Sequence, residues 1–270
     1  MEKLIITIAP TGSIPTKKNN PNVPIRPDEI IQTGILCEKE GASIIHIHAR
    51  NPVDESASTD FKIFEEIYKG LNQETNLIIQ ISTGGRAGME YEKRSERLSL
   101  KPEMASLTTG SVNFPSSVYA NSPELICALA KDMKIHGIKP EIEIFDISMI
   151  QNALELAGKG LISQPLHFDF VMGLKGAIPA TIENLVHLKN SIPSTSTWSV
   201  AGVGASQLPM VTHAVLMGGH VRVGLEDSIY FCKGELASNE QLVKRIVQVS
   251  DIMGRKIATP DEARKILGLA

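Results

Sequence analysis

The sequence predicts an α/β protein of the (β/α)8 TIM-barrel class. Short β-branched runs alternate with helix-like runs from one end of the chain to the other. Eight such pairs fit within 270 residues, the usual size of one barrel. The turn after the first strand, Pro10-Thr11-Gly12-Ser13, lacks the glycine-rich fingerprint that a doubly wound open sheet carries there. No linker, low-complexity tract or charge block interrupts the pattern, so residues 1–270 read as one barrel domain with a short C-terminal helical tail.

In chain order, the strands are expected at Lys3 to Ala9, Ser43 to Ala49, Leu77 to Ser82, Met104 to Thr108, Pro140 to Phe145, Pro165 to Val171, Ser196 to Ala201 and His220 to Val223. The helices between them are expected at Pro27 to Glu40, Asp60 to Leu71, Tyr91 to Leu98, Pro123 to His136, Ile147 to Lys159, Thr181 to Asn190 and Ser206 to Met217, with an eighth at Asn239 to Met253. The tail opens a last helix, with Thr259 as N-cap and Pro260 at the first helical position. The longest irregular pieces, Thr11 to Arg26, Gly84 to Glu90 and Gly224 to Ser238, all follow strands, where barrel enzymes keep their working loops.

Composition excludes several classes. With 27 basic and 30 acidic residues the formal charge is -3, which is no footprint for nucleic acid or an anionic membrane. Aromatic residues at 4% are too sparse for a base-stacking surface. No apolar run reaches the length of a membrane span. The first residues read as a strand rather than a signal peptide, and Cys37, Cys127 and Cys232 are odd in number and widely spaced. Reduced thiols in a cytoplasmic protein are the expectation. Cys37 and Cys127 sit at helix-packing positions, and Cys232 lies in a loop with no evident partner.

The strand faces are unequal. One face carries Ile45/Ile47, Ile79/Ile81, Ile142/Ile144, Phe168/Phe170 and Val221/Val223. The other carries His46/His48, Gln80/Ser82, Ser106/Thr108, Glu141/Glu143, His167/Asp169, Thr197/Ser199 and His220/Arg222. In a barrel the apolar face packs under the helices and the polar face points inward. Barrel interiors are normally filled by bulky apolar layers, so buried His, Glu, Asp and Arg must bind one another, a metal or a ligand. A shallow mouth wetted by solvent is the plainer alternative.

His46 and His48 stand side by side on one face and need one further ligand to make an open metal site. Glu226, just past the eighth strand, offers that carboxylate if the barrel closes; otherwise Glu226 and Asp227 are solvated loop acids. Zinc suits two histidines and a carboxylate, a set that iron(II) and manganese share. Arg222 is placed to clamp a carboxylate or to hold Asp227. Ser82-Thr83-Gly84-Gly85 closes the third strand with small residues, N–H groups and a hydroxyl suited to an anion. Gly202-Val203-Gly204-Ala205-Ser206 follows the seventh strand and opens a helix, where a phosphate-bearing cofactor docks in many barrels. His167 and His220 read as interior polar residues.

Several stretches together resemble the β-keto acid cleavage enzymes of the 3-keto-5-aminohexanoate cleavage enzyme type. They are His46-Ile47-His48, residues 80–85, 100–105 and 140–143, Trp198 to Gly204, Gly218 to Asp227, and Ala258-Thr259-Pro260, and they run over nearly the whole chain. The resemblance implies a (β/α)8 barrel holding one Zn2+ through His46, His48 and Glu226. It implies a reverse Claisen exchange, in which a β-keto acid and acetyl-CoA become acetoacetate and a new acyl-CoA, as in amino-acid degradation. Asp227 would be the base, oriented by Arg222; Ser82 with the Gly84-Gly85 backbone would hold the substrate carboxylate, and Glu143 would orient groups around the metal. Thr83, Ser106 and Thr108 join the substrate-binding set, Ser106 standing where the type member has threonine. Gly202 and Gly204 would contact CoA, although Ala205-Ser206 replaces an arginine and a tryptophan of the type member. A homotetramer is also implied. The type member reads its substrate's amino group with a glutamate where this chain has Ile14, so a neutral or more apolar β-keto acid is expected here. The competing readings are a CoA-independent metal-dependent barrel lyase or aldolase, and a non-catalytic metabolite-binding barrel.

Overall fold

The computed structural model describes residues 1–85 and 90–269. Residues 86–89, within the irregular piece expected at Gly84 to Glu90, lie outside the described residues. Eight parallel strands close on themselves: β1 (Ile6–Ile8), β2 (Ile44–Ile47), β3 (Ile78–Ile81), β4 (Met104–Thr108), β5 (Lys139–Ile144), β6 (His167–Met172), β7 (Thr197–Gly202) and β8 (His220–Val223). Each pairs with its sequence neighbours, and β1 closes the cylinder on β8 through Thr7 opposite Arg222 and Ile8 opposite Val223.

The helices are α1 (Pro27–Glu40), α2 (Phe61–Glu74), α3 (Tyr91–Ser95), α4 (Pro123–His136), α5 (Ser148–Gly158), α6 (Ile182–Ser191), α7 (Gln207–Met217), α8 (Asn239–Ile252) and α9 (Pro260–Leu267). Their ends follow from local chemistry. Ser122 accepts from the Leu125 N–H and Pro123 opens α4, while Gly137 closes it at φ 70°. Thr259 and Glu262 form a reciprocal capping box on α9. The sequence predicts one helix over Tyr91 to Leu98, but the structure tightens after Ser95 into a 3-10 turn, Glu96–Leu100. The reason is local: Arg94 and Arg97 both turn into the protein, giving hydrogen bonds to the carbonyls of Thr83 and Ser82. A three-residue repeat puts both on one side.

The outer strand face and the helices share one continuous apolar core, which includes Ile45, Ile47, Ile79, Ile81, Ile142, Phe168, Phe170, Val221 and Val223. A second, smaller cluster fills the N-terminal end of the cylinder. Ile5, Ile44, Ile78 and Met104 pack there against Ala258 and against Ala263 and Leu267 of α9. Arg264 pins that helix with two hydrogen bonds to Glu103, at 2.7 and 2.8 Å. The barrel is thus sealed at one end and opens at the C-terminal ends of its strands, where such folds carry their active sites.

Three short hairpins decorate the open end: Ala49–Arg50 with Ala57–Ser58, Val112–Phe114 with Ser117–Tyr119, and Tyr230–Cys232 with Glu235–Leu236. Among the described residues, no helix is long and apolar enough to cross a membrane.

Candidate active site

The inward strand face is polar along the upper barrel, as the alternation predicts, and its side chains bind one another. The Glu141 carboxylate lies 3.4 Å from His167 Nε2, Ser199 donates to Asp169 at 2.6 Å, and Thr108 donates to Glu143 at 2.6 Å. Arg222 reaches across the cylinder and donates twice to Asp227, at 3.0 Å each, and once to Glu226 at 2.7 Å. Its remaining nitrogen, Nη1, sits between Glu143 at 3.6 Å and Asp169 at 3.8 Å. Four acids around one guanidinium keep it charged: burial alone would lower its pKa, but Asp227 and Glu226 lead a raise well above the ordinary value.

His46 and His48 leave β2 on the same side, with their Nε2 atoms 3.2 Å apart. Glu226 Oε1 is 3.4 Å from His48 Nε2. One ligand atom from each of the three lies within 4.8 Å of the others, the expected three-ligand set. The other Glu226 oxygen, Oε2, is buried with no hydrogen-bond partner, as a carboxylate awaiting a cation would be. Burial, with help from the Arg222 charge, pushes His46 down to about 4, so its imidazole is neutral near pH 7 and carries a free lone pair. Burial would raise the Glu226 carboxyl, but Arg222 and the two imidazoles hold it well below the usual range. Two imidazole nitrogens and a carboxylate oxygen fit a divalent metal with an open position for substrate.

Backbone geometry brings these groups together. Gly12 adopts φ +62°, and a Cβ there would stand 2.6 Å from Glu226 Cγ, so only glycine lets the first loop pass the acid. Gly224 adopts φ +146°, and a Cβ would meet the Ala9 carbonyl oxygen at 2.0 Å. Asp227, the residue after Glu226 in the chain, is pushed up to about 7 by burial against the opposing pull of Arg222.

A cavity of about 350 Å³ opens above this cluster. His48, Glu143, Arg222, Glu226 and Asp227 line one pole, with Ser82, Gly84 and Gly85 beside them. Ile14, Pro15, Phe114, Pro115, Phe145 and Leu174 line much of the remaining wall. Ile14 is 60% exposed at this rim. Of the residues singled out in the sequence, Thr83, Ser106 and Thr108 stand behind the wall rather than on it. Thr83 N–H donates to Ser106 Oγ at 3.2 Å, its hydroxyl donates to the Ser106 carbonyl at 2.6 Å, and Thr108 supports Glu143. The Gly202–Gly204 loop is partly closed: a Cβ on Gly202 would meet the Ser206 carbonyl oxygen at 2.4 Å, and the Gly204 N–H is taken by the Asp227 carbonyl at 2.7 Å. Gly204 itself faces open space.

Three site residues escape the sequence reading. Ser13 places its hydroxyl 3.3 Å from His48 Nδ1. Its signal was available, since it follows β1, the strand beside β2. Tyr119 lines the cavity and meets Thr108 Oγ1 at 3.2 Å, but it arrives on a hairpin with no local signature. Arg94 spans that region, donating to Thr83 O at 2.7 Å and Asn121 Oδ1 at 2.8 Å.

A closed parallel barrel whose strand ends gather ionisable groups around a cavity defines a barrel enzyme. A family model for beta-keto acid cleavage enzymes matches residues 3–269. The chain is 46% identical to a 3-keto-5-aminohexanoate cleavage enzyme of Acetoanaerobium sticklandii, covering 100% of both chains. It is 44% identical to a 3-oxoadipate:acetyl-CoA acetyltransferase of Cupriavidus necator, covering 98% of this chain and 94% of that protein. Among solved structures, apo ObcA superposes with a TM-score of 0.78 at 20% identity, covering 92% of this chain and 66% of that one; this likeness speaks for the barrel fold. The chain belongs to the β-keto acid cleavage enzyme family.

Proposed function

We propose that the protein exchanges acyl groups between a β-keto acid and acetyl-CoA, releasing acetoacetate and a new acyl-CoA. The observation that carries this reading is the convergence of His46, His48 and Glu226 beside the Arg222–Asp227 pair at the base of one cavity. His46, His48 and Glu226 would hold a zinc ion, which as a Lewis acid would stabilise negative charge on the β-keto oxygen.

The remaining work falls to side chains. Ser82 Oγ and the backbone around Gly84 and Gly85 bind the substrate carboxylate at the polar pole. Asp227, held by two hydrogen bonds from Arg222, takes a proton from the carbon between the carbonyl and the carboxylate. That carbon attacks the thioester carbonyl of acetyl-CoA and expels the CoA thiolate. The thiolate then attacks the original β-carbonyl, the bond to C2 breaks, Asp227 returns its proton to that carbon, and acetoacetate leaves with the acetyl group it gained. The books balance without oxidant or reductant. Arg222 keeps Asp227 aimed throughout, and Glu143 shares the charge on its Nη1. Gly204, on the open side of the loop after β7, supports the CoA side of the cavity.

The wall of the cavity argues for an uncharged substrate tail. Ile14, Phe114, Phe145 and Leu174 offer apolar contact, and among the described residues of that wall no charge faces an ammonium group or a second carboxylate. The homotetramer implied by the family resemblance and the cytoplasmic setting expected from the cysteines belong to the same proposal, and sedimentation of the pure protein tests the first. The deciding experiment incubates the protein and acetyl-CoA with a panel of β-keto acids and follows acetoacetate and new thioesters by mass. Consumption of a β-keto acid without acetyl-CoA would point instead to a metal-dependent lyase.

A further inference from the structure

One fully buried carboxylate of the barrel interior has no part in the chemistry just described. Glu141 is 0% exposed, and neither of its oxygens closes a hydrogen bond. An ionised carboxylate buried this way costs several kcal/mol unless something uses it. Its neighbours show what does. His167 Nε2 lies 3.4 Å from it, and the Gln80 amide group is near enough to favour its charged form. Burial would push the Glu141 carboxyl up, but His167, His46 and Gln80 together hold it below its ordinary value, so it is an anion. The Gln80 Nε2 atom is itself buried without a closed hydrogen bond. Its other end is engaged: Gln80 Oε1 stands 2.5 Å from His46 Nδ1.

A glutamine amide can turn over, presenting either oxygen or NH2 to a partner. A carboxylate can only accept. With an anion on one side, Gln80 must aim its NH2 at Glu141, which leaves its oxygen for His46. An oxygen opposite Nδ1 requires the proton on Nδ1, and the lone pair then falls on Nε2. That atom is the one facing His48 Nε2.

We propose that Glu141, acting through Gln80, is a positioning residue that fixes the direction of the Gln80 amide and so holds His46 in the tautomer whose Nε2 lone pair faces the metal-binding position. The inference rests on the metal reading above, and its test separates the two. The experiment records long-range 15N–1H spectra of histidine-labelled, metal-free protein near neutral pH. The parent is expected to show His46 protonated on Nδ1 alone. Glu141→Gln, equal in size but able to donate or accept, is expected to give a mixture of tautomers. Co2+ titration against a chromophoric chelator is expected to show affinity lowered about 10- to 100-fold, the usual cost of losing such support. The double variant Gln80→Glu/Glu141→Gln moves the carboxylate next to His46 and is expected to restore both readouts. It also serves if the single variant fails to fold, because the proposal then requires Nδ1 protonation in the double variant. A folded Glu141→Gln protein with His46 still in one tautomer and Co2+ affinity unchanged overturns the proposal. If the parent holds no Co2+ but the tautomer shifts as stated, the metal reading falls and the positioning role stands.

Discussion

At its sealed end the barrel is filled by Ile5, Ile44, Ile78 and Met104 under Leu267 of α9. Two residues further along those same strands stand Thr7, His46, Gln80 and Ser106, and further still the charged cluster around Arg222. The floor is ordinary apolar packing, which stabilises the fold in proportion to the area removed from water. The mouth buries one arginine among four acids, beside the neutral imidazole of His46, at a cost that its internal hydrogen bonds only partly offset. The difference teaches that in this barrel stability and chemistry are assigned to opposite ends of the same strands, so each end can be damaged separately.

The largest expected effect lies at the mouth. Glu226→Gln removes the anionic ligand and is expected to lower turnover by about a thousandfold or more, on the scale of losing a key electrostatic group. Metal content measured on the folded protein should fall with it, while the melting temperature holds or rises. A variant that melts much earlier would break the division between the two ends. Asp227→Asn comes next, with an expected loss of about 10²- to 10⁴-fold in kcat and little change in KM, the range for a general base.

Leu267→Ala strikes the floor. It is expected to cost about 2–5 kcal/mol in denaturant unfolding, the usual range for such a truncation, while kcat per folded molecule stays unchanged. Ile14→Glu sharpens the picture at the rim. It is expected to raise kcat/KM for an ammonium-tailed β-keto acid about tenfold and to lower it for an apolar one, read from paired competition assays.

The smallest effect is one of pH. His220 is buried near the floor and accepts the Ile5 N–H on Nδ1 at 3.1 Å. Burial, assisted by His167 and Arg255, holds its pKa well below the ordinary 6.5. The unfolded chain therefore binds a proton below about pH 6.5 that the folded chain refuses, so stability falls as pH drops through that value and continues to fall until the folded-state pKa is reached. His220→Gln keeps an acceptor without a titratable group, and its unfolding free energy should be flatter between pH 7 and about pH 5.

Much of this division was legible in the sequence. The strands Met104–Thr108 and His220–Val223 and the helices Pro27–Glu40 and Pro123–His136 fall where the alternation, the prolines and the closing glycines put them. The unequal faces foretold the polar interior, because a period of two cannot be read any other way once the outer face is all Ile, Val and Phe. Other features needed three dimensions. β1 is shorter than Lys3 to Ala9 because Leu4 bridges to Ile257 and the Ile5 N–H goes to His220. Tyr119 and the buried arginines 94 and 97 reach the site from segments whose local pattern announces only surface. The Gln80 amide was visible as one more polar residue on an inward face; its direction follows from a carboxylate sixty-one positions away.

The seal made by α9 has a kinetic consequence. Among the described residues a cylinder stoppered at its base opens only at its mouth, so reactants and products share that doorway in single file. If a small acid lies deep at the charged pole and a long thioester arrives above it, whichever arrives last must depart first.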